Sequence, residues 1–277
     1  MDPAPENQSL SELKALNTLL DNNAKLLIRR DLELNRANDS LRKIDRVKSE
    51  FVSRVTHQLR TPLSGVKWAL WMLISGDVGA LTDEQRVFVM KIYESNERMV
   101  RLINELLEAD KLESGAKQFK IEETSLLDLL QNLLGEVQIL ARKQSVEIEV
   151  VHPPTLPHVP IDPESIRSVF ENVIENAIKY SHPNSAIKVE LRDSENFVEL
   201  IVSDHGIGIP KDEQKNIFGR FYRSANAVRF VTDSSGLGLY IVATIVKRHN
   251  GTIRFESEEN VGSTFYISLP KAHTKAI

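Results

Sequence analysis

The sequence of 277 residues contains no cysteine, which excludes disulfides, thiolate metal sites and cysteine nucleophiles. Long apolar runs are also missing: the longest, around residues 68–74, is far below the roughly 18 residues needed to cross a bilayer. The first nine residues are polar and lack the apolar region of a signal peptide. We therefore expect no transmembrane segment in this chain and a cytoplasmic location.

An excess of positive charge is absent as well. The chain has 35 Lys and Arg against 39 Asp and Glu, a net charge of −4, so no global field attracts nucleic acid. Hydrophobic residues make up 41% and charged residues 27%, as in globular proteins. This length and composition predict about two folded domains and no nucleic-acid partner.

Residues 1–47 are predicted to form an N-terminal tail and a coiled-coil helix. Leucine recurs at every seventh position, and a second column offset by three is more polar. Sustained spacing of this kind is typical of a left-handed coiled coil. The alternative is a single amphipathic helix that packs on its own domain. The leucine column consists of Leu13, Leu20, Leu27, Leu34 and Leu41.

Residues 48–115 are predicted to form an antiparallel helical hairpin. The first helix covers 51–74 with an expected bend near Pro62, and a turn follows at 75–79. Thr82 and Gln85 fit the capping box of a second helix, which runs to about residue 114. A lone hairpin cannot bury both apolar faces, so we expect a homodimer in which two hairpins form a four-helix bundle.

Residues 116–277 have the pattern of an α+β domain with helices on one face of a sheet. Asp162 and Pro163 suit the N-cap and the first position of a helix that ends near Tyr180. A polar, irregular stretch is predicted at 224–235. Predicted strands cover 119–121, 146–151, 187–192, 197–203, 252–257 and 264–269, and the other predicted helices cover 126–141, 211–221 and 237–249.

His57, on the bent helix, is the candidate nucleophile. It lies between apolar helix positions and Pro62, which permits an exposed place on the outer face of the bundle. Neutral imidazole is a competent nucleophile near pH 7. The alternative is an ordinary surface or core histidine without a chemical role.

Two glycine-containing motifs are candidates for a nucleotide site. Asp204-His205-Gly206-Ile207-Gly208 follows an apolar strand, so the carboxylate could accept from an exocyclic amine while the glycines permit close approach of a flat ligand. Residues 234–239 open an apolar helix, whose N-terminus can bind phosphate. When each motif is taken alone, a purely structural role is an equal alternative to ligand binding. For residues 204–208 that role is a turn, and for residues 234–239 it is a flexible helix cap.

A polar stripe on the helix that ends at Tyr180 is the third candidate. Asn172, Asn176 and Lys179 share one face among apolar neighbours. Neutral oxygen ligands together with phosphates suit Mg²⁺, so the stripe is a candidate Mg-phosphate site. The alternative is a solvated polar face.

In combination and order, these motifs resemble the sequence boxes of two-component sensor histidine kinases, over about residues 40–270. Residues 57–63 resemble the H box, 172–180 the N box, 204–208 the G1 box and 217–223 the F box. Residues 236–239 resemble the G2 box, and 262–265 the final strand motif. The resemblance implies a dimerisation and phosphotransfer domain, followed by the Bergerat ATP-binding fold over 116–277.

The resemblance also implies roles for single residues. His57 would accept the phosphoryl group, with Gln58 and Arg60 beside it, and Thr61 would orient water for dephosphorylating a response regulator. Asp204 would bind adenine, and Asn176 would hold Mg²⁺. The remaining nucleotide contacts would come from Asn172, Lys179, Tyr180, Gly206, Ile207, Gly208, Arg220, Phe221, Gly236, Leu237, Gly238, Leu239 and Thr264, with 224–235 as a lid.

Two positions depart from the family pattern. The residue after the histidine is normally Glu or Asp, but Gln58 cannot accept a proton at a useful pKa and can only orient the imidazole. Asp233-Ser234-Ser235 stands where further glycines are usual, which predicts a stiffer lid. Neither departure removes the nucleotide site.

The function implied is an ATP- and Mg²⁺-dependent protein-histidine kinase that passes the phosphoryl group to an aspartate of a response regulator receiver domain. A clamp-type ATPase of the same fold would need a catalytic Glu four residues before Asn176, where the chain has Asn172. A phosphatase-dominant or non-enzymatic ATP-binding scaffold is the other alternative, favoured by Gln58. No sensor domain is visible, so the input comes from a separate protein or the chain is the cytoplasmic part of a membrane-anchored receptor.

Overall fold

The computed structural model describes residues 5–231 and 234–272, so Thr232 and Asp233 of the predicted lid lie outside it. Near the N-terminus only the backbone is described for residues 5–15, 18, 24, 41, 42, 45 and 46, which include the predicted heptad positions Leu13 and Leu41. The chain divides into two compact units between Arg54 and Val55. Among the residues that the structure describes, every helix is either too short or too polar to cross a lipid bilayer.

The first unit consists of the helix α1, Pro5–Ser75, up to Arg54. The predicted helix is confirmed, and it is not broken at Pro62. Leu20, Leu27 and Leu34 of the predicted heptad column are between 57 and 69% exposed in the single chain. Their exposure leaves an apolar stripe for a partner helix, and the coiled coil stays a prediction.

The second unit begins with the hairpin of α1 and α2, Asp83–Glu113. The Thr82 side chain accepts from the Gln85 N–H and the Gln85 side chain accepts from the Thr82 N–H, so the predicted capping box is present. Contacts between the two helices include Asn96, which donates to the carbonyl of Leu63 at 3.2 Å. The hairpin predicted from the capping box and the turn is therefore confirmed.

The rest of this unit contains strands that form two sheets. The strands are β1 Glu122–Thr124, β2 Glu147–Val151, β3 Val159–Ile161, β4 Ala186–Asp193, β5 Phe197–Asp204, β6 Thr252–Glu258 and β7 Gly262–Pro270. Five of them form a mixed sheet in the order β2-β4-β5-β7-β6, and only the β2–β4 pair is parallel among the named strands of this sheet. The other sheet is the short antiparallel pair β1–β3.

Helices cover one face of the sheet, as the sequence predicts. Burial alternates along β4, where Ile187, Val189 and Leu191 point into the core. The helices α3 Leu126–Lys143, α4 Pro163–Tyr180 and α6 Gly238–Arg248 each bury an apolar stripe. Phe170 of α4 is fully buried at the centre of this core, so its loss to alanine would cost about 3–5 kcal/mol of unfolding free energy.

Four local predictions are corrected by the structure. The predicted strand at 119–121 forms three residues later, as β1, because its partner is β3. The proline-rich connector contains β3 itself, which no local pattern predicts. Only a 3-10 turn, Gln214–Asn216, forms within the predicted helix 211–221, and the helix α5, Ala225–Phe230, forms within the stretch predicted to be irregular.

A buried histidine joins α6 to the start of α4. His249 Nε2 accepts from the Asp162 N–H at 3.0 Å and Nδ1 donates to the carbonyl of Ile245 at 2.8 Å, while Phe119 contacts the ring edge-on. Replacing His249 by leucine leaves the buried Asp162 N–H unpaired, so we expect a loss of about 2–3 kcal/mol in unfolding free energy. Urea denaturation measures the effect, with the exposed His152→Leu as a control that should be neutral; equal stability of the two variants would contradict this role.

Candidate functional site

A cavity of about 750 Å³ opens between α4, the end of β5, the 206–209 turn and the start of α6. The predicted site residues that it brings together lie up to 67 positions apart in the sequence, from Asn172 to Leu239. Ten residues of the predicted nucleotide site line it, namely Asn172, Asn176, Lys179, Tyr180, Asp204, Ile207, Gly208, Gly236, Gly238 and Leu239.

The α4 wall of the cavity is the polar stripe opposite the buried face of that helix. Asn172 donates through Nδ2 to the carbonyl of Ser168 at 2.8 Å, which leaves its oxygen directed towards Gly238. A Cβ atom at Gly238 would lie 2.6 Å from this oxygen, so a larger residue there would displace the Asn172 side chain. Asn176 lies one turn further along the same wall. Both residues line the cavity, and their carboxamides carry neutral oxygen atoms of the kind that Mg²⁺ accepts.

Lys179 and Tyr180 connect α4 to the segment that opens α6. The Lys179 ammonium group donates to the Ser234 hydroxyl, and the Tyr180 hydroxyl lies 3.0 Å from the same oxygen. Ser234 lies just before Gly236 and α6, so these bonds hold the loop that leads into the helix. A positive side chain and a helix N-terminus therefore meet at one end of the cavity, where an anion is favoured.

Asp204 ends β5 with its carboxylate turned into the protein. Its Oδ1 accepts from the backbone N–H of Gly206 at 3.0 Å and from that of Ser263 at 3.2 Å. Burial raises the pKa of Asp204 to about 6, although these two N–H donors oppose the rise. Backbone N–H groups thus hold Oδ1 in place, and Oδ2 can accept a hydrogen bond from a ligand.

The turn after Asp204 depends on glycine for contacts within the protein. Gly208 has φ +57° and a Cβ atom there would lie 1.9 Å from the carbonyl oxygen of Glu258. The backbone of the turn therefore packs directly on the β6–β7 connection, and any side chain at this position would push the two apart. Gly206, by contrast, is not one of the cavity-lining residues.

Four other predicted residues lie away from the cavity lining. Leu237 is buried in the core, Thr264 donates to the Ser203 hydroxyl at 3.0 Å, and Phe221 is 58% exposed. Arg220 forms an ion pair of 2.6 Å with Glu113 at the end of α2. In this conformation Arg220 is thus bonded to the hairpin and is not among the residues that line the cavity.

Arg223 is a site residue that the sequence did not single out. Its guanidinium group donates to the carbonyls of Ser234 at 3.3 Å, Ala227 at 3.0 Å and Val231. All three carbonyls lie within the predicted lid, so one cation joins several points of the lid to Arg223, which itself lines the cavity. A cation in the F box is the only sequence feature that could have indicated this role.

The candidate nucleophile lies on α1, outside the cavity lining. His57 is exposed, and Thr61 Oγ1 lies 3.5 Å from its carbonyl oxygen one turn later. Arg60 donates to Asn104 of α2 at 2.8 Å and lines a separate groove. Gln58 is exposed beside His57. The four predicted hairpin residues thus share one region, and none of them lines the cavity in this conformation.

Two family descriptions match separate parts of the chain. Residues 47–115 match the His Kinase A (phospho-acceptor) domain. Residues 161–273 match the family described as histidine kinase-, DNA gyrase B-, and HSP90-like ATPase. The first match contains His57 and the second contains the cavity residues contributed by α4, β5 and α6.

Curated proteins and solved structures give the same similarity. Sensor histidine kinase WalK of Bacillus subtilis is 34% identical over 230 residues, 82% of this chain and 37% of that protein. Drug sensory protein A of Synechocystis is 31% identical over 252 residues, 87% of this chain and 36% of that protein. The structure of full-length ShkA in complex with AMPPNP is 26% identical with a TM-score of 0.66, covering 82% of this chain and 47% of that one. The chain therefore spans little more than a third of the length of these curated relatives.

Proposed function

Because the chain belongs to the two-component sensor histidine kinases, we propose that it is an ATP-dependent kinase that phosphorylates its own His57. The observation that supports this most directly is the pairing of an exposed histidine on a helical hairpin with a cavity that is lined by the carboxylate of Asp204 and by cationic groups. Since the phosphoryl donor is ATP, we place the reaction in the cytoplasm.

The cavity supports a specific orientation of ATP. The free oxygen of Asp204 would accept from the adenine amino group, and Ile207 and Leu239 offer apolar surface for the base. Lys179 and the N-terminus of α6 would bind the phosphates. The carboxamide oxygens of Asn176 and Asn172 fit Mg²⁺, and the bound ion would offset negative charge on the phosphates.

The proposed transfer is an in-line displacement. A nitrogen of the neutral His57 imidazole attacks the γ-phosphorus, the bond from that phosphorus to the β,γ-bridging oxygen breaks, and ADP leaves. The second imidazole nitrogen releases its proton to solvent, because Gln58 cannot accept it. The phosphoryl group would then pass to an aspartate of a response regulator receiver domain, and Thr61, one turn after His57, would position the water that hydrolyses the phosphorylated regulator.

The hairpin supports the proposed homodimer. In the single chain, large apolar side chains on both of its helices face solvent, including Trp68 and Trp71 of α1 and Phe88 and Ile92 of α2, each at least 53% exposed. An apolar surface on two adjacent helices is stable in water when a second hairpin covers it. We propose that two chains form the four-helix bundle predicted from the sequence.

The first test is incubation with γ-phosphate-labelled ATP and Mg²⁺, followed by acid and base treatment of the protein. The proposal predicts a label that acid removes and base does not, and that moves to a receiver domain added afterwards. ATP binding without any label would instead support the scaffold alternative. Release of inorganic phosphate without a labelled intermediate would support the clamp-type ATPase.

A substitution at Gln58 tests whether the lack of a carboxylate beside His57 limits the rate of phosphorylation. Gln58→Glu supplies a proton acceptor next to the nucleophile, and general bases contribute 10²- to 10⁴-fold in other enzymes. We expect the initial rate of labelling to rise at least tenfold, with no change after Gln131→Glu, an exposed position on α3. An unchanged rate in the Gln58 variant would mean that orientation of the imidazole by the amide is sufficient.

A further inference from the structure

The nucleotide cavity has a wall that comes from the hairpin. Arg98, Arg101, Leu102 and Glu105 of α2 line the same cavity as the α4 stripe. Their spacing of three, one and three residues places them on one face of the helix. None of the sequence boxes named above includes these positions, and from the sequence alone they look like part of an ordinary charged helix surface.

Direct bonds hold this face of α2 at the cavity. The Ser235 hydroxyl donates to the Glu105 carboxylate and accepts from the Leu237 N–H at 3.0 Å, so Glu105 is bonded to the loop that opens α6. Further along α2, the Glu113–Arg220 ion pair and a bond from Arg248 to the carbonyl of Leu112 at 3.3 Å extend the contact. The hairpin and the nucleotide-binding part are thus joined at several points.

Arg101 lines the cavity beside the loop where the phosphates are expected. Glu105, one turn after Arg101 on α2, is bonded to Ser235, and Lys179 is bonded to the neighbouring Ser234. Two arginines of α2 and Lys179 therefore line the cavity near the loop that opens α6, with the Glu105 carboxylate beside them.

We propose that Arg101, with Arg98 one turn before it, binds the polyphosphate of the nucleotide, so that α2 forms part of the ATP site. Arginine suits this task because its planar fork can donate two parallel hydrogen bonds to phosphate oxygens. This inference rests on the proposed ATP-binding function. Its consequence is reciprocal coupling: ATP holds the hairpin in contact, and the hairpin strengthens ATP binding by the same factor.

This coupling defines a holding state that precedes transfer. His57 does not line the cavity while α2 does, so the acceptor is separate from the nucleotide in this arrangement. The phosphates would have to leave the Arg98–Arg101 face before the acceptor histidine of either protomer could reach them. Binding to α2 thus stores ATP in the site and keeps it from the nucleophile.

Calorimetric titration of the full chain with MgATP, MgADP and AMP tests the proposal. We expect Arg101→Ala to weaken ATP binding about tenfold, which corresponds to 1.4 kcal/mol, and to leave AMP binding unchanged. Arg86→Ala, an exposed arginine on the same helix, is the matched control and should bind all three ligands like the wild type. Unchanged ATP affinity in the Arg101 variant, or an equal loss for AMP, would overturn the proposal.

Hydrogen exchange tests the reciprocal effect without any substitution. ATP should slow amide exchange over residues 98–105 of α2 more than AMP does, and Arg101→Ala should remove the difference. Exchange in α2 that does not respond to ATP would overturn the coupling. Failure of the wild-type chain to bind ATP at all would refute the proposed function itself, and the two failures are therefore distinguishable.

Discussion

Replacing His57 by alanine is expected to abolish the acid-labile label that wild-type protein acquires from γ-phosphate-labelled ATP. Alanine has no nitrogen to form the bond to phosphorus, so the expected loss is complete rather than partial. Labelling is measured by exposing the denatured protein to base, which preserves phosphohistidine, and to acid, which removes it.

Nucleotide binding is the control for this substitution. His57 is exposed and does not line the cavity, so ATP should bind His57→Ala as tightly as the wild type. His152→Ala, at another exposed histidine, should keep full labelling. A label of normal amount in His57→Ala would show that another residue is the acceptor and would contradict the proposed role of the hairpin.

The second large effect is expected at Asp204. In Asp204→Asn the amide oxygen takes over the bonds from the Gly206 and Ser263 N–H groups, which turns the NH₂ group towards the ligand. A donor would then face the adenine amino group, also a donor. We expect about 100-fold weaker ATP binding, since a site built for one hydrogen-bonding pattern rejects its opposite strongly.

The same reasoning predicts a change of base preference. Inosine triphosphate has a carbonyl oxygen where ATP has the amino group, so it should bind Asp204→Asn better than ATP does, whereas the wild type should prefer ATP. Competition against a fluorescent nucleotide measures both ratios. A variant that keeps the wild-type preference for ATP would show that Asp204 does not contact the base.

The raised pKa of Asp204 predicts a pH dependence of binding. Below about pH 6 the carboxyl gains a proton, and because Oδ1 already accepts two N–H groups, the proton resides on the oxygen that faces the ligand. ATP affinity should therefore fall as the pH decreases from 7.5 to 5. Protonation of ATP itself affects wild type and Asp204→Asn alike, so the dependence due to Asp204 is the part that the variant lacks.

Local sequence patterns predicted most of the fold because their causes are local. The Thr82–Gln85 capping box and the Asp162 N-cap with Pro163 are satisfied within one helical turn, and the structure has both. The strand β3 was missed because it is defined by pairing with β1, about 37 residues earlier in the chain. Three residues with a proline at the middle position carry no alternation from which such a long-range pair could be predicted.

The residues of the candidate site also divide into those that local motifs predict and those that depend on long-range packing. The motifs at Asp204 and at 172–180 predicted residues that line the cavity, because each motif lies at the end of an element that the fold brings to one place. Arg101 and Glu105 could not be predicted, since their contact with the site depends on how α2 packs against α6. The position of Arg220 depends likewise on Glu113, 107 residues away.

The most direct measurement maps the phosphoryl group after wild-type protein has reacted with MgATP. Trypsin should release residues 55–60 as one peptide, which contains both His57 and the buried hydroxyl of Thr56. Our account predicts an added phosphate on this peptide that is stable in base and lost in acid. An acid-stable phosphate on Thr56, or phosphate confined to another peptide, would contradict the assignment of His57 as the acceptor.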